Sequence, residues 1–211
     1  MKHEYYKIPG WFNYAEMYDI AIENIPKDGK FLEIGCFLGK STNYLCTNLI
    51  NAGREDVTVY ALDTFKGSSE HRFLDKIVDK DGSFIEKTKD NLRYFIGRNQ
   101  CHLIESRSDN QETIDKFEDE TFDVIMVDGA HEYEPVLEDI ENWWPKLKKG
   151  GILLLDDMYM ESVKQAAHKG LHSKVENFMI MQSTEATGIA YKGETKDMGP
   201  WIKIIPEQHF V

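Results

Sequence analysis

The chain has little cysteine: Cys36, Cys46 and Cys101 are far apart, odd in number, and form no C-x-x-C pair. This disfavours a structural zinc site and a disulfide framework. Buried, reduced thiols fit better and point to the cytosol. Basic charge is also short, with 25 Lys and Arg against 37 Asp and Glu and a formal net charge of −12. Nucleic-acid and anionic-membrane partners need a basic surface, so neither is expected. The start, Met1-Lys2-His3-Glu4-Tyr5-Tyr6-Lys7, has no apolar signal core. Every apolar run is of strand length, so no membrane span is expected. A cytoplasmic setting follows, and a homo-oligomer is compatible with this composition.

Two glycine motifs are missing as well. Gly35-Cys36-Phe37-Leu38-Gly39-Lys40-Ser41-Thr42 comes close to a P-loop, yet it has three residues between its glycines where a P-loop has four. The first P-loop glycine would fall on Ile34, inside a strand, and the shortened loop cannot make the same nest of N–H groups for a β-phosphate. Glu33 would also put a carboxylate beside the phosphates. The dinucleotide fingerprint G-x-G-x-x-G fails at Phe37. Apolar strands ending on Asp128 and Asp156 imitate a Walker B, but any buried parallel strand with an acid at its tip does so. Nucleotide hydrolysis is therefore the minor alternative.

What the chain does have is a set of strands that end on acids. Phe31-Leu32-Glu33-Ile34 runs into the glycine loop, Val57 to Leu62 ends on Asp63, and Phe122 to Val127 ends on Asp128. In an open α/β sheet ligands bind outside the carboxyl ends of the strands, near the point where strand order reverses. A glycine loop with an acid before it and another a strand later suits a nucleoside with two ribose hydroxyls.

The rest of the chain alternates in the same way. A helix is expected over 13–24, with Asn13-x-x-Glu16 as a capping box, and a second from about Ser41 to Gly53. Ser83-x-x-Glu86 opens a third, a strand covers 102–105, and a short helix covers 110–117. Pro135 sits in the first turn of the next helix, whose inner stripe is Val136, Leu137, Ile140, Trp143, Trp144 and Leu147. Gly150-Gly151 turns into strand 152–155, and the tail offers a helix near 162–169 and strands near 175–181, 188–191 and 201–205. This predicts an α/β fold: a Rossmann-like, mostly parallel seven-stranded sheet with helices on both faces and an antiparallel strand near the C-terminus. Residues 1–211 read as a single domain, with 1–29 a helical arm and 64–90 a variable insertion.

The arrangement resembles the class I S-adenosylmethionine-dependent methyltransferases, and within them the macrocin O-methyltransferase group, which acts on sugars of natural products. The matching stretches are Phe31 to Thr42, Leu62 to Gly67, Asp128-Gly129-Ala130-His131-Glu132-Tyr133 with the strand before it, and Gly150 to Asp157. The resemblance implies that Gly35, Gly39 and Ser41 meet the methionine and ribose parts of S-adenosylmethionine, and that Glu33 meets its amino end. Asp63 would accept from both ribose hydroxyls, since a carboxylate has lone pairs for two donors. Ser106 and Ser108 would lie at the adenine, and Asp128 is a further cofactor-binding candidate.

Asp128, Asp156 and Asp157 form an acidic trio at neighbouring strand tips. Such carboxylates repel one another unless protons or a cation neutralise them, and hard oxygen ligands favour Mg²⁺ or another hard divalent ion. The alternative is that Asp156 and Asp157 only cap a turn. A cation there would hold two vicinal hydroxyls of a small-molecule acceptor, and His131 or Asp128 would take the hydroxyl proton. Tyr5, Tyr6, Trp11, Phe12 and Tyr14 make either a packed arm or an acceptor lid, and Glu70, His71 and Arg72 a possible opposite wall. The leading expectation is metal-assisted O-methylation of a small molecule. Its competitor from another class is a non-catalytic S-adenosylmethionine-binding module, which would not need the trio.

Overall fold

A computed structural model describes residues 1–2, 4–67, 82–174, 178–181 and 187–194, with the side chains of 178–181 excepted. Along the chain, α1 (Ala15–Asn24) leads to β1 (Lys30–Ile34), α2 (Lys40–Asn51) and β2 (Thr58–Asp63). Next come α3 (Ile85–Gly97), β3 (Cys101–Glu105), α4 (Gln111–Ile114) and β4 (Phe122–Val127). The last part holds α5 (Tyr133–Trp143), β5 (Leu147–Leu155), α6 (Glu161–Leu171), β6 (Phe178–Met181) and β7 (Thr187–Tyr191).

The strands form a seven-stranded sheet in the order β3-β2-β1-β4-β5-β7-β6. β7 pairs antiparallel with both β5 and β6, and the other pairings are parallel. Strand order reverses between β1 and β4, which sets the ligand crevice at their carboxyl ends. The central strands are buried on both faces, and alternate residues go to opposite cores. Phe31, Val124, Met126, Ile152 and Leu154 pack with α1, α2 and α3, among them Tyr18, Leu45 and Leu92. Leu32, Ile125, Val127, Leu153 and Leu155 pack with α5 and α6, among them Ile140, Trp143 and Ala166. Trp143, the last residue of α5, and Trp144 after it are core residues, as their spacing predicts. No helix among the described residues is long and apolar enough to cross a membrane.

The differences from expectation are local. The Asn13–Glu16 capping box does not form: α1 starts at Ala15, after Tyr14, and its first turn carries no side-chain cap. Ser83 does not cap α3 across a box either; its hydroxyl accepts from the Ile85 N–H at 3.2 Å, two residues on. α4 is one turn only, capped by the Asn110 side chain, which accepts from Thr113 N–H at 3.2 Å. Gly150-Gly151 lies inside β5, which starts at Leu147; Gly150, at φ 83, carries the register break between the two halves. The strand expected near 201–205 and the wall residues Glu70, His71 and Arg72 lie outside the described residues.

Candidate active site

Ladder hydrogen bonds continue past the strand ends and line up the site. Gly35 N–H donates to Leu62 O at 2.9 Å, Asp128 N–H to Ile34 O at 2.9 Å, and Asp156 N–H to Val127 O at 3.1 Å. Asp63, Gly35, Asp128 and Asp156 thus sit along one edge of four adjacent strands. They face a cavity of about 600 Å³, within the usual range for a small-molecule or cofactor site.

The glycine loop is tight for packing reasons. A Cβ at Gly35, at φ 93, would collide with the Asp128 carbonyl oxygen, so the loop and the β4 end touch backbone to backbone. Gly39 opens α2 in the left-handed region at φ 79, and a Cβ there would lie 2.8 Å from Leu92 of α3. Gly35 lines the cavity and Gly39 does not. At both positions a side chain would meet neighbouring protein as well as a backbone of positive φ.

Asp63 closes the loop from the other side. Its Oδ2 accepts the Phe37 N–H at 2.8 Å and its Oδ1 the Phe65 N–H at 2.7 Å. Phe37 and Phe65 both have positive φ, 47 and 54. The carboxylate therefore holds two turns of positive φ, and Asp63 lines the cavity. Glu33 lies deeper. It is fully buried, does not line the cavity, and accepts from the Tyr18 hydroxyl at 2.7 Å and from the Ser41 and Thr42 hydroxyls. Burial pushes its carboxyl up, and the three hydroxyls act against that shift. Glu33 thus ties β1 to α1 and to the start of α2, and Ser41 reaches the cavity wall with its hydroxyl turned to Glu33.

At one end of the cavity stand Ser106 and Ser108. Ser106 Oγ is 2.8 Å from Thr113 Oγ1, and the Ser108 carbonyl accepts the Trp143 indole N–H at 3.0 Å. Sequence reasoning missed their neighbour Asp139, which lines the same end and is 3 % exposed. Burial pushes its carboxyl up to about 7, with a Ser108 hydrogen bond acting against it, Asp109 and Glu138 adding to it and Arg107 lowering it. The signal was present: Asp139 is an acid within the inward stripe of α5, between Val136 and Ile140.

At the other end stand Asp128, His131, Asp156 and Asp157. His131 Nε2 is 2.7 Å from Asp157 Oδ2, a contact that orients the ring. Asp157 sits at φ 55, a conformation Asp tolerates, and this turn sends its carboxylate toward His131. Asp128 Oδ2 accepts the Tyr14 hydroxyl at 2.5 Å. Burial and then the Asp156 charge push the Asp128 carboxyl well above the usual carboxylate range, and the Tyr14 bond opposes them.

Asp128, His131 and Asp157 offer ligand atoms within 4.8 Å of one another. Two ligands on opposite sides of a Mg²⁺-sized ion are about 4.2 Å apart at most, so a small side-chain shift would bring all three onto one ion. The donor set fits a divalent cation, and the imidazole moves the preference from Mg²⁺ toward Mn²⁺ or Fe²⁺. The structure brings His131 into the group and leaves Asp156 at the next strand tip, outside it.

The N-terminal aromatics divide. Phe12 packs on Tyr14, Tyr18 and Tyr44, with ring centroids 4.9, 5.7 and 4.9 Å apart. Trp11 is 66 % exposed and lines the cavity beside Phe37. Lys40, the lysine of the near-P-loop, donates to Gly10 O at 2.7 Å and so fastens the arm to the start of α2.

Comparison with known proteins agrees with this architecture. A family described as a methyltransferase domain matches residues 32–158, and the chain belongs to that family. An uncharacterized protein of Sinorhizobium fredii is 28 % identical over 131 residues, 61 % of this chain and 13 % of that protein. One from Acanthamoeba polyphaga mimivirus is 26 % identical over 129 residues, 54 % of this chain and 58 % of that protein. The chain therefore spans a small part of the first relative and just over half of the second.

Among solved structures, the apo form of CalS11, a TDP-rhamnose 3'-O-methyltransferase of calicheamicin biosynthesis, aligns with a TM-score of 0.63 and 16 % identity, over 86 % of this chain and 78 % of that one. An rRNA methylase from Streptococcus thermophilus aligns at 0.58 and 17 %, over 87 % and 98 %. A protein from Streptococcus mutans in complex with SAH aligns at 0.55 and 16 %, over 86 % and 99 %. The fold is that of the S-adenosylmethionine-dependent methyltransferases, as the motifs implied.

Proposed function

We propose that the chain transfers the methyl group of S-adenosylmethionine to a hydroxyl of a small, uncharged acceptor, such as a sugar of a natural product. One observation carries the reading: a single cavity has the braced Asp63 carboxylate on one wall and the Asp128–His131–Asp157 cluster at its end. Asp63 suits the two ribose hydroxyls. The ribose then directs adenine toward Ser106, Ser108 and Asp139, and the methionine part along Gly35 toward Asp128.

The methyl group arrives already activated as a sulfonium, so the protein's tasks are alignment and proton removal. Asp128, His131 and Asp157 would hold the cation. A divalent ion so held would bind two vicinal hydroxyls and lower the pKa of one. Trp11 and Tyr159, half or more exposed at the cavity edge, would cover the acceptor and keep water out. The acidic end suits a neutral acceptor better than a phosphorylated one, and the net charge of −12 disfavours RNA as acceptor.

A second reading rests on the 2.7 Å contact between His131 and Asp157. Without a cation, His131 would take the hydroxyl proton while Asp157 orients the ring and stabilises the imidazolium. The experiment is methyl transfer from labelled S-adenosylmethionine to a panel of polyols, sugars, catechols and RNA, with Mn²⁺, with Mg²⁺ and with chelator. Transfer lost in chelator supports the cation reading. Transfer retained in chelator but lost in His131→Ala selects the dyad. Transfer to RNA alone overturns the small-acceptor reading.

A further inference from the structure

Tyr14 immediately precedes α1 and belongs to the aromatic N-terminal arm. Its ring is 2 % exposed and packs edge-on against Phe12 at 4.9 Å and Tyr18 at 5.3 Å. Its hydroxyl lies at the cavity and donates to Asp128 Oδ2. Four residues on, Tyr18 donates to Glu33. Glu33 is the penultimate residue of β1 and Asp128 follows β4, and these strands are neighbours. The start of α1 therefore sets one phenol on an acid of each of two adjacent strands. The arm ahead is pinned as well, through Lys40 to Gly10 O and through Trp11 beside Phe37, their rings 6.5 Å apart.

We propose that Tyr14 is a positioning residue: its hydroxyl fixes the Asp128 carboxylate so that the other oxygen faces the acceptor, and the arm thereby forms part of the reacting end. This rests on the reading of Asp128 as an acceptor-end acid. A carboxylate at a strand tip, beside two others, has freedom about both side-chain torsions. A charge-assisted bond from a phenol whose ring is locked in the core removes that freedom. The same bond satisfies one of the two Asp128 oxygens and leaves the directionality of the second defined.

The test is Tyr14→Phe, which keeps the ring and its packing and removes only the hydroxyl. Three quantities are measured: SAH affinity by calorimetry, Mn²⁺ affinity by water-proton relaxation with SAH bound, and the crystal structure of the variant. SAH affinity should stay within about twofold of wild type, while Mn²⁺ affinity falls roughly 10- to 100-fold, the usual effect of removing a group that orients a ligand. In the crystal the Asp128 carboxylate should be rotated or spread over several positions. Tyr18→Phe, the same deletion one turn on, should leave Mn²⁺ affinity unchanged. An Asp128 carboxylate that keeps its place in Tyr14→Phe overturns the proposal. If the wild-type protein binds no Mn²⁺, the cation reading fails by itself, and the Asp128 orientation still decides the role of Tyr14.

Discussion

The Asp63 carboxylate and the Phe37 amide are joined at 2.8 Å across the mouth of the glycine loop, so the residue proposed for the cofactor ribose also holds the loop proposed for its methionine end. Binding and local stability are coupled at this position. Asp63→Ala removes the bond to Phe37 and the one to Phe65 as well as the ribose acceptor. Bonds to a charged group are worth about 1.5–3 kcal/mol, so SAH affinity should fall roughly 10- to 150-fold. The melting temperature should drop too, by about 2–4 °C per kcal/mol lost. Calorimetry on Asp63→Ala that gives wild-type affinity would move the ribose contact elsewhere.

The two loop glycines should respond differently to the same substitution. Gly35→Ala drives a methyl group into the Asp128 backbone, which cannot move without shifting β4. Gly39→Ala meets the Leu92 side chain, which can rotate, and adds the strain of a positive φ. Gly39→Ala should cost about 1–3 kcal/mol, and Gly35→Ala more than about 4 kcal/mol or no folded protein at all. Equal costs in urea unfolding would contradict the backbone contact.

Asp139 should leave a mark on the pH dependence of stability. Its carboxyl titrates at about 7 in the folded chain, and at about 3.9 in an unfolded one. Between those values the folded chain holds a proton that the unfolded chain has released, so this group's contribution to stability falls as pH rises. The full loss is on the order of 4 kcal/mol. Asp139→Asn keeps the shape and removes the titration. Its melting temperature should exceed wild type at pH 8, with the gap closing toward pH 5. Parallel melting curves across that range would show that Asp139 is ionised at no cost.

The acidic residues at the β5 end should also differ. Asp157 belongs to the group that can share an ion with Asp128 and His131, and Asp156 does not. Asp157→Asn should weaken Mn²⁺ binding roughly 10-fold or more, and Asp156→Asn should change it little, while both variants stay folded. The reverse order in a Mn²⁺ titration would return Asp156 to the ligand set.

The strand tips and the glycine loop are legible in the sequence because strands buried on both faces read as unbroken apolar runs, and an acid at the end stands out. Asp139 is harder to see: it is one acid in a stripe of apolar residues, and only the packing of α5 shows that it faces the cavity. Tyr14 reads as core, and its ring is core. Its hydroxyl reaches Asp128 through a contact 114 residues away in sequence, which no local pattern encodes. Which of Asp156 and Asp157 reaches His131 turns on one backbone angle, φ 55 at Asp157, and two adjacent identical residues give no hint of it.

The most direct measurement is the melting temperature with and without SAH, with ATP as the comparison. A ligand at a hundredfold excess over its Kd stabilises by about 2.7 kcal/mol, which for a chain of this size is a rise of roughly 5–11 °C. The cavity between Asp63 and Asp128 predicts that rise with SAH, none with ATP, and its loss in Asp63→Ala. No change with SAH together with a clear rise with ATP would contradict the methyltransferase reading and restore the nucleotide one.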